Sequence, residues 1–240
     1  TIMEDKLPEY GQGKANLLSD ALIDGFLDDI TALDLRKTIL PHMNEDNMYF
    51  YTDHHWKPKA AFYAYQEIIN EMNKTLPGIG EPSQLSDYTW TEYEKPFYGS
   101  EARKVTRVNA KKADTITIAE KIGQADSLEV GYRGKWDQPL INMDTLNKDD
   151  VYTNRYASYL SGDSPEGIIK NPNLKNGKKL LVLKDSYANA MIPFFAENFE
   201  EIRFLDLRHY KNTALKDYIT NNDIDAVVFV HNINSIIVTP

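Results

Sequence analysis

Leu180-Leu181-Val182-Leu183-Lys184-Asp185-Ser186-Tyr187 passes from an unbroken apolar run into a polar turn and then into a helix-like segment. Consecutive apolar residues leave no polar face, as a strand covered on both sides of a parallel sheet requires. Two further runs of this kind follow, Ile202 to Leu207 and Ala226 to Val230. Helical stretches separate them. Ser186 to Asn198 gathers Ala190, Ile192, Phe194 and Phe195, with Pro193 expected to bend it, and Thr213 to Asn221 repeats Leu215, Tyr218 and Ile219 at helical spacing. The last third therefore reads β-α-β-α-β, and the expected class is α/β with a doubly wound, mainly parallel sheet.

Upstream, Leu18, Leu22, Phe26 and Ile30 recur every four residues on an amphipathic helix that begins near Ser19-Asp20. Thr31-Ala32-Leu33-Asp34-Leu35 reads as a fourth strand of the same sheet. Pro58 suits the first turn of a helix whose buried face is Ala61, Tyr65, Ile68, Ile69 and Met72. After Leu76-Pro77-Gly78-Ile79-Gly80 the chain turns polar. Residues from about 83 to 150 carry short alternating pieces, Thr115-Ile116-Thr117-Ile118 and Leu128-Glu129-Val130, that resemble half-exposed strands. This region is expected to be a partly β insertion packed beside the sheet of a single domain spanning residues 1–240.

The 240 residues, 42% hydrophobic and 26% charged, suit one sizeable core and exclude long disorder. A net charge of −9 repels a phosphate backbone, so nucleic acid is not an expected partner. The basic cluster Arg103, Lys104, Arg107, Lys111 and Lys112 has no interleaved aromatic platform and reads as a solvated face. The absence of cysteine removes thiol nucleophiles, thiolate zinc sites and disulfides together. Apolar runs such as Ala226 to Val230 are too short to span a bilayer. The chain opens on Thr1-Ile2-Met3 without an initiator methionine, as a processed or trimmed chain does.

In an open parallel sheet, ligands bind beyond the carboxyl ends of the strands. Ser186, Arg208-His209 and His231-Asn232 follow three successive strands there. A serine in that place is either a nucleophile or a helix N-cap. A second stretch, Thr52-Asp53-His54-His55-Trp56, bears on the choice. If it is extended, Asp53 and His55 face one side and His54 the other. His55 is then a candidate base and Asp53 the carboxylate that orients it. Adjacent histidines point apart when extended, so a metal held by Asp53, His54 and His55 is not expected, nor is any cofactor. Trp56 reads as packing or as the wall of a sugar-sized pocket. A serine nucleophile also needs oxyanion donors: the Ser186 amide, with Gly162, Asn189 or Asn232 as the second.

Tyr51-Thr52-Asp53-His54-His55-Trp56, Phe97-Tyr98-Gly99-Ser100, Lys184-Asp185-Ser186-Tyr187-Ala188-Asn189 and Asp206-Leu207-Arg208-His209-Tyr210 together resemble the bacterial DHHW protein family. The likeness runs from about Leu7 to Ile233. It implies an SGNH-hydrolase-like, flavodoxin-like fold related to alginate O-acetyltransferase-type proteins, with the first strand of the family's sheet expected before Thr1. It also implies a triad of Ser186 as nucleophile, His55 as base and Asp53 as orienting acid, the last two preceding the serine in the chain. Family members often carry Gly-Asn where this chain has Gly162-Asp163, and an aspartate there would repel a developing oxyanion. The expected function is O-acetyl esterase or O-acetyltransferase chemistry on an extracytoplasmic carbohydrate or acylated glycan, beside membrane-associated acetylation machinery. Arg208, Trp56 and Tyr187 are the expected substrate contacts, although Arg208 equally suits a salt bridge to Asp206. The alternative is a carbohydrate-binding or scaffold protein without turnover, which Asp163 and the 15 tyrosines also fit.

Overall fold

The computed structural model describes residues 15–26, 29–105, 109–123 and 127–232. Its helices are α1 (Ala15–Asp24), α2 (Leu35–Ile39), α3 (Pro58–Met72), α4 (Ser100–Val105), α5 (Met143–Asn147) and α6 (Leu215–Asn221). Its strands are β1 (Tyr88–Phe97), β2 (Asp114–Lys121), β3 (Glu129–Tyr132), β4 (Glu166–Lys170), β5 (Lys179–Lys184), β6 (Glu201–Leu205) and β7 (Ala226–Val230).

Five strands form one sheet in the order β3-β4-β6-β5-β7. The apolar run of β5 lies inside it, parallel to β6 on one side and β7 on the other. Leu180 and Val182 enter the larger core, which also holds Phe62, Tyr65 and Ile69 of α3. Leu181 and Leu183 enter a smaller one with Leu205, Tyr210 and Tyr218, beneath α6. Cover on both faces explains why β5 shows no polar alternation.

The expectation of a mainly parallel sheet holds only for the β6-β5-β7 half. β4 runs antiparallel to β6, and β3 antiparallel to β4, so the sheet is mixed. Residues 171–178 join β4 to β5, and a link that short cannot carry the crossover of roughly a dozen residues that parallel strands need. β4 is seated closely. A Cβ on Gly167 would lie 2.0 Å from the Phe204 ring of β6, so only glycine lets the two strands pair there.

Three local expectations are corrected. Residues 31–34 form no strand, because the Asp34 side chain accepts the Arg36 amide at 3.1 Å and caps α2. Ser186 to Asn198 is two 3-10 segments, Ser186–Ala190 and Ile192–Glu197, with Pro193 in the first turn of the second. Within the expected insertion, β1 and β2 make a separate antiparallel ribbon, but β3 joins the edge of the main sheet. α1 ends at Asp24 and leaves Leu18 and Phe26 exposed. Among the described residues, no helix is long and apolar enough to cross a membrane.

Candidate active site

Residues 48–57 fold back on themselves. The Phe50 amide donates to the His55 carbonyl and the Lys57 amide to that of Met48, with Tyr49 and Trp56 bridged between them. Asp114, the first residue of β2, receives the tip of this loop. Its carboxylate accepts the amides of Tyr51 (2.7 Å) and Thr52 (2.6 Å) and the Thr52 hydroxyl. Thr52 in turn holds the next segment: its Oγ1 accepts the Gly99 amide at 2.9 Å, and its carbonyl accepts the amides of Glu101 and Ala102 in the first turn of α4. Gly99 thereby lies against Asp53, so closely that a Cβ would sit 2.3 Å from the Cβ of Asp53.

Asp53, His55 and Ser186 form one hydrogen-bonded line. His55 Nδ1 is 2.6 Å from Asp53 Oδ1, and His55 Nε2 is 2.8 Å from Ser186 Oγ. Asp53 Oδ1 also accepts the His55 amide at 3.1 Å, and Oδ2 accepts the Ser100 amide at 2.8 Å. Burial by itself would raise the Asp53 carboxyl, but the His55 and Ser100 hydrogen bonds and the neighbouring imidazole charge outweigh it, holding the group well below the usual carboxylate range. An ionised Asp53 calls for a proton on Nδ1 and leaves Nε2 as the acceptor that faces the serine. Tyr156 stacks on the His55 ring at 3.6 Å with 5° between planes, and His54 packs against it at 3.8 Å. Burial and the charge of His55 both lower the pKa of His54, whose Nδ1 meets Ser100 Oγ at 2.6 Å.

Ser186 directly follows the end of β5. The Asp185 amide donates to the Val230 carbonyl, while its carboxylate caps the turn by accepting the Tyr187 amide at 2.8 Å and the Asn232 amide at 2.8 Å. The Ser186 amide is the first of its 3-10 turn, a position with no intrahelical acceptor. Residues three apart eclipse in a 3-10 turn, so Ser186 and Asn189 share a side. Asn189 Oδ1 accepts from Lys184 Nζ at 2.6 Å, and its Nδ2 makes long contacts of 3.4 Å to the Gly162 carbonyl and Asp163. Lys184 is fully buried, and desolvation lowers its pKa against the pull of Asp163 and Asp206. Asp163 faces two cations, Arg208 at 3.1 Å and Lys184 at 3.8 Å, so its charge is partly compensated. Gly162 closes a run of left-handed residues, with φ of 51°, 54° and 84° at Leu160, Ser161 and Gly162.

The sequence thus points to three residues that meet. Others sit differently. Trp56 is only 5% exposed, and its indole N–H donates to the Tyr187 carbonyl at 2.8 Å, so it is packing and offers no free wall to a sugar. Tyr187 is half-buried, with its ring 5.1 Å from that of His55 and its hydroxyl on the His54 carbonyl. Arg208 makes the Asp206 salt bridge, with Nε 2.9 Å from Oδ1, and spends Nη2 on Asp163. Ligand atoms of Asp53, His54 and His55, and of Asp163, Asp206 and His209, lie within 4.8 Å of one another. Both His55 nitrogens are already engaged, and Asp163 and Asp206 already face cations. Sequence reasoning missed Asp114 and Tyr156, whose partners lie far away in the chain, and gave Gly99 no role.

The DHHW protein family model matches residues 33–205. A DHHW family protein from Eubacterium siraeum superposes with a TM-score of 0.77 at 26% identity, over 97% of this chain and 75% of the other. Bacillus cereus PatB1 carrying a sulfonyl adduct gives 0.80 at 27% identity, over 99% and 80%. The O-acetyltransferase domain of Pseudomonas putida AlgJ gives 0.50 at 12% identity, over 96% and 69%, a likeness of fold. A search of curated proteins finds no match. With the family pattern spanning most of the chain and two structures covering nearly all of it, the chain belongs to the DHHW protein family.

Proposed function

We propose that this protein is a serine-dependent O-acyl esterase or O-acyltransferase acting on an acylated carbohydrate outside the cytoplasm, built on an SGNH-like core in which β6-β5-β7 is the parallel unit. The observation that carries the proposal is the line Asp53–His55–Ser186, with hydrogen bonds of 2.6 and 2.8 Å. PatB1, which shares the fold at 27% identity, carries a sulfonyl adduct, and sulfonyl groups attach to activated nucleophiles.

Ser186 Oγ attacks the acyl carbonyl while its proton passes to His55 Nε2. That proton then goes to the departing sugar oxygen, leaving the acyl group on Ser186. Water or a second sugar hydroxyl attacks this ester and gives its proton to His55, which passes it to Ser186 Oγ as the serine leaves. The Ser186 amide and the Asn189 side-chain amide are the oxyanion donors in this reading; Asn189 needs only to leave its long contacts with Gly162 and Asp163. Asp163, held by Arg208, is a neighbour whose charge is already answered. Tyr187 at the rim is the aromatic surface for the sugar.

The test is hydrolysis of p-nitrophenyl acetate and of an acetylated glycan by the wild type and by Ser186→Ala. Loss of the serine should cost several orders of magnitude, on the order of 10⁴ or more. Equal rates in the two proteins refute the enzyme, and glycan binding retained without turnover identifies a carbohydrate-binding protein on the same fold.

A further inference from the structure

We propose that Tyr156 is a positioning residue that sets the base and the nucleophile in register by holding both. The proposal rests on the serine-ester reading above. The two hydrogen bonds of His55 lie at the ring edge, one on each nitrogen, and neither supports the face of the imidazole against tilting. Tyr156 supplies that support, since its ring lies 3.6 Å away and within 5° of parallel. The same side chain reaches the serine. Its hydroxyl donates to the Ser186 carbonyl at 2.9 Å and lies 3.2 Å from that of Tyr187. One rigid group therefore contacts the plane of the base and the backbone of the nucleophile.

Tyr156 is itself immobilised. It is 1% exposed, in a 3-10 turn (Arg155–Ser158) whose buried Arg155 guanidinium donates to the carbonyls of Leu146 and Lys148. Tyr159 and Phe50 meet its ring edge-on at 5.2 and 5.9 Å. Burial pushes the phenol well above its ordinary range, which keeps it a hydrogen-bond donor at any working pH.

The experiment compares wild type, Tyr156→Phe, Tyr156→Leu and Ser186→Ala by the rate at which phenylmethylsulfonyl fluoride labels each protein, followed by intact mass. In that reaction Ser186 Oγ bonds to sulfur, fluoride leaves and the serine proton passes to His55. Wild type should take one label and Ser186→Ala none. Tyr156→Phe keeps the stack and loses the hydroxyl, and should react about tenfold more slowly. Tyr156→Leu loses both, and should be slower by on the order of a hundredfold, so that the phenyl ring alone restores about tenfold of that loss. Both should reach the wild-type labelled fraction in the end, with the loss in the maximal labelling rate and not in the concentration of reagent that half-saturates it. A merely structural role lowers the final labelled fraction and leaves the rate of the surviving molecules unchanged. That outcome, or Tyr156→Phe and Tyr156→Leu reacting at the wild-type rate, overturns the proposal. A wild type that takes no label overturns the serine-ester reading and this proposal with it.

Discussion

The loop that carries Asp53 and His55 is held mainly by backbone amides, whereas the turn that carries Ser186 is bordered by charged side chains. On the histidine side, Asp114 and Asp53 together accept the amides of Tyr51, Thr52, His55 and Ser100. Backbone donors do not titrate and move little, so the imidazole is offered in a fixed place. On the serine side Asp185 likewise accepts the amides of Tyr187 and Asn232, but Asn189 beside the serine belongs to a chain of side-chain contacts through Lys184, Asp163, Arg208 and Asp206. Such contacts respond to pH, salt and a bound ligand. The comparison assigns rigidity to the base and adjustability to the region where acyl charge would develop.

The hardest blow to this contrast is Asp53→Asn. Its amide can donate as well as accept, so the imidazole loses its enforced tautomer. Ester hydrolysis should fall by roughly 10⁴-fold with the far-ultraviolet spectrum unchanged, and a variant within tenfold of wild type defeats the assignment. Gly99→Ala strikes the same side by volume. A methyl group 2.3 Å from Asp53 forces the loop away, and we expect a loss of about 10²-fold in turnover with about 1–3 kcal/mol lost in urea denaturation. Asp114→Asn replaces an acceptor-only group beneath the loop; about tenfold in activity and about 1–2 kcal/mol in stability should go together.

The pH dependence of Asp53 has a definite sign. Its carboxyl is depressed in the folded protein, so the stability it lends is complete above its unfolded value near 4 and is lost as pH falls through the lower folded value. Denaturation curves of wild type and Asp53→Asn should therefore stay equally far apart from pH 8 to pH 5 and converge below pH 4. Convergence already at pH 6 would mean that the ionised Asp53 is not what separates them. The smallest effect belongs to the serine side. Asp163 is over a third exposed and its charge is compensated, so Asp163→Asn should change turnover by only about two- to fivefold, with the difference shrinking in high salt. A gain of orders of magnitude would instead make Asp163 a brake on the site.

Much of the arrangement is visible in the residues themselves, where local pattern and final environment agree. β5 is legible because a strand covered on both faces leaves an unbroken apolar run, and β6 and β7 because branched and aromatic residues dominate them, although Arg203 interrupts β6 and Val227 and Phe229 of the edge strand β7 are exposed. Asp53 and His55 are legible as a carboxylate two residues from an imidazole, but not by alternation: residues 51–55 bend at the loop tip, and His54 packs against His55 instead of facing away. β4 is not, since Glu166-Gly167-Ile168-Ile169-Lys170 has charged ends and a glycine whose reason is the Phe204 ring across the sheet. Residues 31–35 mislead because an aspartate between two leucines imitates alternation while its side chain starts a helix. Asp114 and Tyr156 leave no local trace, because what each of them touches is fixed only by tertiary pairing.

The distance along the chain between Trp56 and Tyr187, joined by one indole hydrogen bond, has a consequence for how the protein is born. A ribosome delivers the histidine loop well before the strand that bears the serine, and contacts between segments so widely separated close late. The β1-β2 ribbon and the platform under Thr52 and Asp53 can assemble from chain already emerged. Under the serine-ester reading, the line from Asp53 to Ser186 closes only when β5 docks, so a nascent or C-terminally clipped molecule lacks the group that His55 faces and should show no ester turnover until folding is complete.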